Sequence, residues 1–154
     1  RHLQQDLYGI AEKARSLRPD IVFGADIIAG FPTETDEMFE NTVRAVKECD
    51  VTFLHVFPYS PRPGTPAAKM PQVDAGVRKE RAKILRELGA CQLNKHLSSL
   101  VGRTLPVLVE RDNKGHTEYF SAVQIDGDIS QGCIVNVKIE TVDGDFLRGK
   151  ILHN

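Results

Sequence analysis

The chain has 154 residues, 41% hydrophobic and 27% charged, with 20 basic and 21 acidic side chains and a net charge of −1. That bulk suits one compact domain, or one with a small satellite, and excludes an intrinsically disordered chain. No run of about 18 apolar residues occurs, so no membrane-spanning helix is expected, and the start at Arg1 has no apolar stretch of the signal-peptide kind.

The chain starts without Met and reads as a piece cut from a larger protein. Its three cysteines, Cys49, Cys91 and Cys133, are odd in number and widely spaced. That excludes a disulfide framework and points to a reducing, cytoplasmic home, with the thiols as small buried hydrophobes.

Apolar residues at Leu3, Leu7, Ile10, Ala11, Ala14 and Leu17 predict a helix with one inward stripe, stopped at Arg18-Pro19. Ile21–Ile28 is an almost unbroken apolar run, interrupted at Asp26, and predicts a parallel strand buried on both faces. A turn over Ala29–Thr35 follows, with Gly30 and Pro32. Thr33 or Thr35 can cap the next helix, whose inward stripe is Phe39, Thr42, Val43 and Val46. Val51–Phe57 reads as a second strand, so the order helix, strand, helix, strand implies a parallel βαβ unit.

Five prolines between Pro58 and Pro71 exclude helix there. A long helix is predicted from Gly76 to about Ser98, its outer face carrying Arg78, Lys79, Arg81, Lys83 and Arg86. From Gly102 the hydrophobic period becomes two. Thr104–Arg111, Thr117–Ile125, Ile134–Ile139 and Phe146–Leu152 read as strands, and Asp112–Gly115, Asp126–Asp128 and Asp143–Asp145 as turns. Strands this short and this many suggest a small barrel. The fold class is therefore α/β followed by all-β, with domains at 1–97 and 98–154.

Charge is uneven along the chain. Residues 1–57 carry a net −4, residues 58–97 a net +5 and residues 98–154 a net −2. The middle stretch attracts phosphate at modest salt, unless it is simply a solvated helix face.

Two segments can carry chemistry. Asp26–Thr35 lies at the carboxyl end of a parallel strand, where ligands bind in such sheets. Gly30 permits close backbone approach there, and Glu34 can accept hydrogen bonds from a ligand. The alternative is a plain strand-to-helix turn. The second segment, Leu54–Pro66, follows the next strand and so occupies the same rim. Phe57 or Tyr59 can offer a π-face to a purine, and Arg62 can grip phosphate or carboxylate. Its alternatives are a rigid cover or a proline-rich ligand for another domain. His55 reads as a satisfied core histidine.

These segments also carry a resemblance. Asp26–Thr35, the string Phe57-Pro-Tyr-Ser-Pro-Arg-Pro-Gly-Thr-Pro-Ala-Ala-Lys-Met70 and the Arg-Lys-Glu-Arg of the long helix are similar to the radical S-adenosylmethionine methylthiotransferases. The His-Val-Phe-Pro-Tyr variant is most similar to the branch acting on N6-threonylcarbamoyladenosine in tRNA. The isopentenyladenosine and ribosomal-protein branches are competitors.

The resemblance implies that residues 1–97 are the last portion of a radical S-adenosylmethionine barrel, a partial TIM-like barrel, and 98–154 an OB-like TRAM barrel that binds RNA. It implies S-adenosylmethionine and two [4Fe–4S] clusters in the full-length enzyme, with Ile28, Gly30, Phe57, Pro58 and Tyr59 at the S-adenosylmethionine site. It implies methylthiolation at C2 of the modified adenosine 37, near the tRNA anticodon. Neither set of cluster cysteines is present, so no catalytic or metal residue is assigned, and this fragment is expected to be inactive and to bind no cofactor.

Residues expected to meet RNA or substrate are Glu34, Arg62, Arg78, Lys79, Arg103, Tyr119, Phe120 and Lys138. Arg81 and Lys83 share phosphate contacts, and Tyr119 and Phe120 are placed in the second barrel strand after His116. Expected partners are tRNA, the missing N-terminal domains and, through the truncated sheet, a second copy. The rival readings are a non-catalytic RNA-binding module and a different radical S-adenosylmethionine enzyme.

Overall fold

The structure, a computed structural model, describes residues 4–127 and 129–152. Leu3 and Asp128, expected in a helix stripe and a turn, lie outside the described residues. Contacts divide the chain into two units, Arg1–Gln92 and Leu93–Asn154.

The first unit contains α1 (Gln4–Leu17), β1 (Phe23–Ala29), α2 (Asp36–Glu48), β2 (Val51–Pro58) and a single 3-10 turn at Pro66–Lys69. The long helix α3 (Ala75–Leu100) begins here and runs into the second unit. Asp74 starts α3 by accepting the backbone N–H groups of Gly76 and Val77. Thr35 caps α2, accepting the Met38 N–H. Strands β1 and β2 pair in parallel.

Two apolar clusters hold this unit on one side of the strand pair. Ala11, Val46, Cys49 and Val51 form one, with Tyr8 and Phe23 against them. Ala29, Ala82 and Leu85 form the other, with Phe39 and Val56 against them.

Three expectations are corrected here. β1 is not buried on both faces: Gly24, Asp26 and Ile28 are exposed, alternating with half-buried neighbours. A two-stranded parallel pair has helices to cover one face only, so the apolar run includes Ile28 at 53% exposure beside Phe57 at 53%. His55 is exposed on the same face, opposite Asp26 in the register, and not in the core. The inward stripe of α1 is also different. Ala11 is buried, while Leu7, Ile10 and Leu17 are exposed. Arg15 determines the roll of the helix by donating to the Cys49 carbonyl at 2.6 Å with its guanidinium 4.9 Å above the Phe23 ring.

The second unit is a closed barrel of β3 (Thr104–Val109), β4 (Lys114–Thr117), β5 (Ala122–Asp126), β6 (Ile134–Asp143) and β7 (Phe146–Ile151). The strand order is β3-β4-β5-β7-β6, antiparallel except for the β5–β7 pair. Alternate residues point inward, so Leu105, Val107, Val109, Val123, Ile125, Val137, Ile139 and Leu147 make the core. Closure brings backbones close. A Cβ on Gly149 would collide with the Lys138 carbonyl, so glycine is required there.

The expected strand Thr117–Ile125 is broken. Residues 118–121 form a turn between β4 and β5, and Lys114-Gly115, expected in a turn, open β4. The Thr117 hydroxyl accepts the N–H groups of Tyr119 and Ser121, and Phe120 stands in the left-handed region at φ 60°. No helix is long and apolar enough to cross a membrane among the described residues.

Candidate functional site

In the first unit the two strand ends meet. Ile28 pairs with Phe57 and Ala29 with Pro58, and the Tyr59 N–H extends the ladder to the Ala29 carbonyl at 2.8 Å. The rims following Ile28 and Phe57 therefore lie side by side. A cleft of about 620 Å³ opens over them, lined by Asp26, Ile28, Phe57, Pro58, Tyr59 and Arg62 among others. That volume suits a nucleoside-sized ligand. Ile28 and Phe57 make its apolar wall, with the Asp26 carboxylate two residues back on the same face of β1. The Tyr59 ring meets Phe31 edge-on at 5.4 Å. Its hydroxyl is buried and has no hydrogen-bond partner among the described residues.

Behind the rim lies a charged clamp. Arg81 is 6% exposed. Its guanidinium meets the Glu34 carboxylate at 2.7 Å and Asp36 at 2.6 Å, and also donates to the Glu34 carbonyl at 3.0 Å. The second Glu34 oxygen accepts the Gly30 N–H at 3.1 Å. Gly30 has φ 72°, and a Cβ there would strike the Arg78 side chain. The Arg78 guanidinium donates to the Tyr59 carbonyl at 2.9 Å.

Several expected roles change accordingly. Arg81 is a buried structural cation, not part of an outer phosphate-binding face. Glu34 spends both carboxylate oxygens inside the protein and is not presented to a ligand. Gly30 makes room for Arg78 rather than lining the cleft. Arg78 is half-buried and ties α3 to the rim, while Lys79 and Lys83 are exposed. Asp26 was not singled out as a cleft residue. Its two-residue spacing from Ile28 on a strand would have found it.

In the barrel the aromatic pair divides. Tyr119 is buried at 8% exposure. The Arg103 guanidinium lies 5.6 Å from its ring and 3.4 Å from its hydroxyl, and His96 meets it edge-on at 6.2 Å. Tyr119 therefore offers no open face for a base, contrary to expectation, because its ring fills the turn. Phe120 is 71% exposed and stacks on His116 at 4.9 Å. The His116 Nδ1 lies 3.2 Å from the Glu110 carboxylate. The Lys138 ammonium donates to the Gly102 carbonyl. Arg148 and Lys150 pair with Asp143 and Glu140, which neutralises part of the barrel's positive charge.

Among the described residues no three His, Cys, Asp or Glu side chains gather to hold a metal ion. Cys49 is buried, Cys133 half-buried and Cys91 exposed, the last against expectation. Burial pushes the Cys49 thiol above its ordinary value, with Arg15 opposing, so the thiolate an iron–sulfur cluster needs is disfavoured. The cysteines of this chain do not fit such a cluster.

A family model, the TRAM domain, matches residues 98–152, the stretch that holds the closed barrel. The chain is 46% identical over 148 residues to threonylcarbamoyladenosine tRNA methylthiotransferase MtaB of Rickettsia prowazekii, covering 96% of this chain and 35% of that protein. It is 39% identical over 163 residues to the tRNA-2-methylthio-N(6)-dimethylallyladenosine synthase of Orientia tsutsugamushi (strain Boryong), covering 100% of this chain and 36% of that protein. The synthase of the same name from Maricaulis maris is 37% identical over 158 residues, covering 97% and 35%. The chain is thus similar along nearly its whole length to tRNA methylthiotransferases, and it spans about a third of the length of these relatives.

Proposed function

We propose that this chain is part of a cytoplasmic tRNA methylthiotransferase acting at C2 of N6-threonylcarbamoyladenosine 37. The observation that carries this is the pairing of Ile28 with Phe57 and Ala29 with Pro58 under a single cleft. The threonylcarbamoyladenosine substrate rests on the 46% identity with a protein of that name.

In this reading residues 1–97 are the last portion of a radical S-adenosylmethionine barrel, and residues 98–154 bind tRNA near the anticodon. The exposed face of β1 and β2 is covered in the complete protein by its other domains, or in isolation by a second copy. The cleft suits S-adenosylmethionine: Ile28 and Phe57 give an apolar wall for an aromatic ring, and Arg62 lines it for polar groups. When bound, that cofactor supplies the methyl group and the hydrogen-abstracting chemistry. The part of this chain is to bind and orient. Ile28 and Phe57 hold a ring by apolar contact, Pro58 and Tyr59 shape the rim, and the Glu34–Arg81 clamp fixes the turn over Gly30 so that the wall keeps its form. Since its cysteines do not fit an iron–sulfur cluster, no step is assigned to a cluster here. Arg103, Lys138 and the exposed Lys79 supply phosphate contacts.

The test is the nucleoside profile of tRNA, by mass spectrometry, from cells lacking the complete gene. The expected result is loss of the 2-methylthio form of N6-threonylcarbamoyladenosine, with the unmethylthiolated nucleoside retained. An unchanged profile, or loss confined to the dimethylallyladenosine derivative, refutes the assignment.

A further inference from the structure

We infer that Phe120 is a stacking platform for one unstacked nucleobase of single-stranded RNA, backed by His116 and aligned by Glu110. The inference deepens the RNA-binding reading of the barrel and rests on it.

Three consecutive positions show an unusual pattern. Tyr119 and Ser121 are buried at 8% and 0%, while Phe120 between them is 71% exposed. The turn that presents it is held from several directions. Thr117 accepts the N–H groups of Tyr119 and Ser121 at 3.2 Å each, and the Thr117 N–H reaches the Ser121 carbonyl at 3.0 Å. The Ser121 hydroxyl lies 2.9 Å from His96 Nε2. Phe120 itself stands at φ 60°, a region that aromatic residues avoid and that local packing must impose. An exposed phenyl ring gains nothing for the fold from such a conformation. The ring is supported nonetheless: His116 stacks on it at 4.9 Å with the planes 21° apart, and Glu110 fixes the imidazole through Nδ1.

A rigid, exposed aromatic face backed by a second ring suits a planar π-partner. One cation stands at the same turn and another on the β3–β6 strand pair. Arg103 covers Tyr119, the residue before Phe120, and Lys138 lies across the β3–β6 pair from Thr104, the residue after Arg103. Aromatic and cationic groups together match a base with its phosphate. A base already stacked in a duplex has no free face for Phe120, so the ligand is single-stranded.

The experiment titrates the full chain into a short single-stranded RNA carrying 2-aminopurine, and into the same RNA as a duplex, following fluorescence quenching across a salt series. The parent is expected to bind the single strand in preference and to quench it. Phe120→Gly, which the φ of 60° accommodates, should weaken binding roughly 5- to 150-fold, the range for one lost base–aromatic stack. Phe120→Tyr should restore both affinity and quenching. The salt dependence should survive Phe120→Gly and shrink in the Arg103→Ala, Lys138→Ala double variant. A melting midpoint for Phe120→Gly close to the parent's would exclude unfolding as the cause. Parent binding with unaltered affinity and quenching in Phe120→Gly overturns the platform and leaves RNA binding standing. Weakened binding with full quenching also overturns it, since the ring then touches something other than a base. A parent that binds neither RNA at low salt refutes the RNA-binding reading itself.

Discussion

The Glu34–Arg81 pair is where a single change should disturb both stability and the cleft. Arg81 is 6% exposed, and its side chain and that of Glu34 are 7% and 14% exposed. Replacing Arg81 with Leu leaves the Glu34 carboxylate half-buried and unpaired, a change that costs about 3–5 kcal/mol in buried pairs. Glu34 retains the Gly30 N–H and some solvent access, so the lower end, about 3 kcal/mol, applies. Asp36 bonds the same guanidinium at 2.6 Å, but its side chain is 93% exposed. Water screens that contact, and Asp36→Ala should cost no more than about 0.5 kcal/mol. The double variant Arg81→Leu, Glu34→Leu removes both charges and should recover about 2 kcal/mol relative to the sum of the single changes. Urea denaturation followed by far-ultraviolet circular dichroism measures Arg81→Leu, Glu34→Leu, Asp36→Ala and the double variant, since α1 and α2 both lie in the first unit. Strictly additive single and double variants, or an Asp36→Ala cost equal to that of Arg81→Leu, would refute this account of the clamp.

Three further outcomes are expected. Tyr59→Phe removes a buried hydroxyl that has no partner; the isolated chain should become more stable by about 1 kcal/mol in urea, and a loss of stability would show that the hydroxyl is satisfied. Gly149→Ala forces a Cβ onto the Lys138 carbonyl and should cost about 1–3 kcal/mol, measured as a lower melting midpoint; an unchanged midpoint would mean the strands can separate there. The N–H groups of Val77 and Gly76 hold the Asp74 carboxyl below its ordinary value of 3.8. Its contribution to the start of α3 is therefore present above 3.8 and lost as pH falls through the lower folded value. Helix content should decline over that window in the parent and show no such step in Asp74→Ala, and parallel profiles would argue against the cap.

The parallel strands were legible because two apolar runs flank a capped amphipathic helix, a pattern with few other solutions. Their rim followed from that, since both strands must end on the same side. The one-sided burial of β1 was not legible, because an apolar run reads alike whether its outer face is covered or open. Arg81 resembled its exposed neighbours Lys79 and Lys83. Its carboxylate partners stand more than forty positions earlier, a distance that helical periodicity does not register. The β4–β5 turn carries no Gly, Pro or Asn at residues 118–121, so Phe120 in a left-handed conformation left no compositional mark, and two strands read as one. The period of two marked the barrel strands, because inward and outward residues alternate in β3, β4, β5 and β7 and in β6 as far as Ile139, where the register shifts.

Equilibrium binding of S-adenosylmethionine to the complete protein, parent against Phe57→Ala, bears most directly on the rim of β1 and β2 as a cofactor wall. Phe57 is 53% exposed in this chain, so its truncation should leave the fold intact. Loss of its contact with the ligand, worth roughly 1.5–3 kcal/mol, should weaken binding roughly 10- to 150-fold. Equal affinity in a folded Phe57→Ala protein would contradict the assignment of this rim.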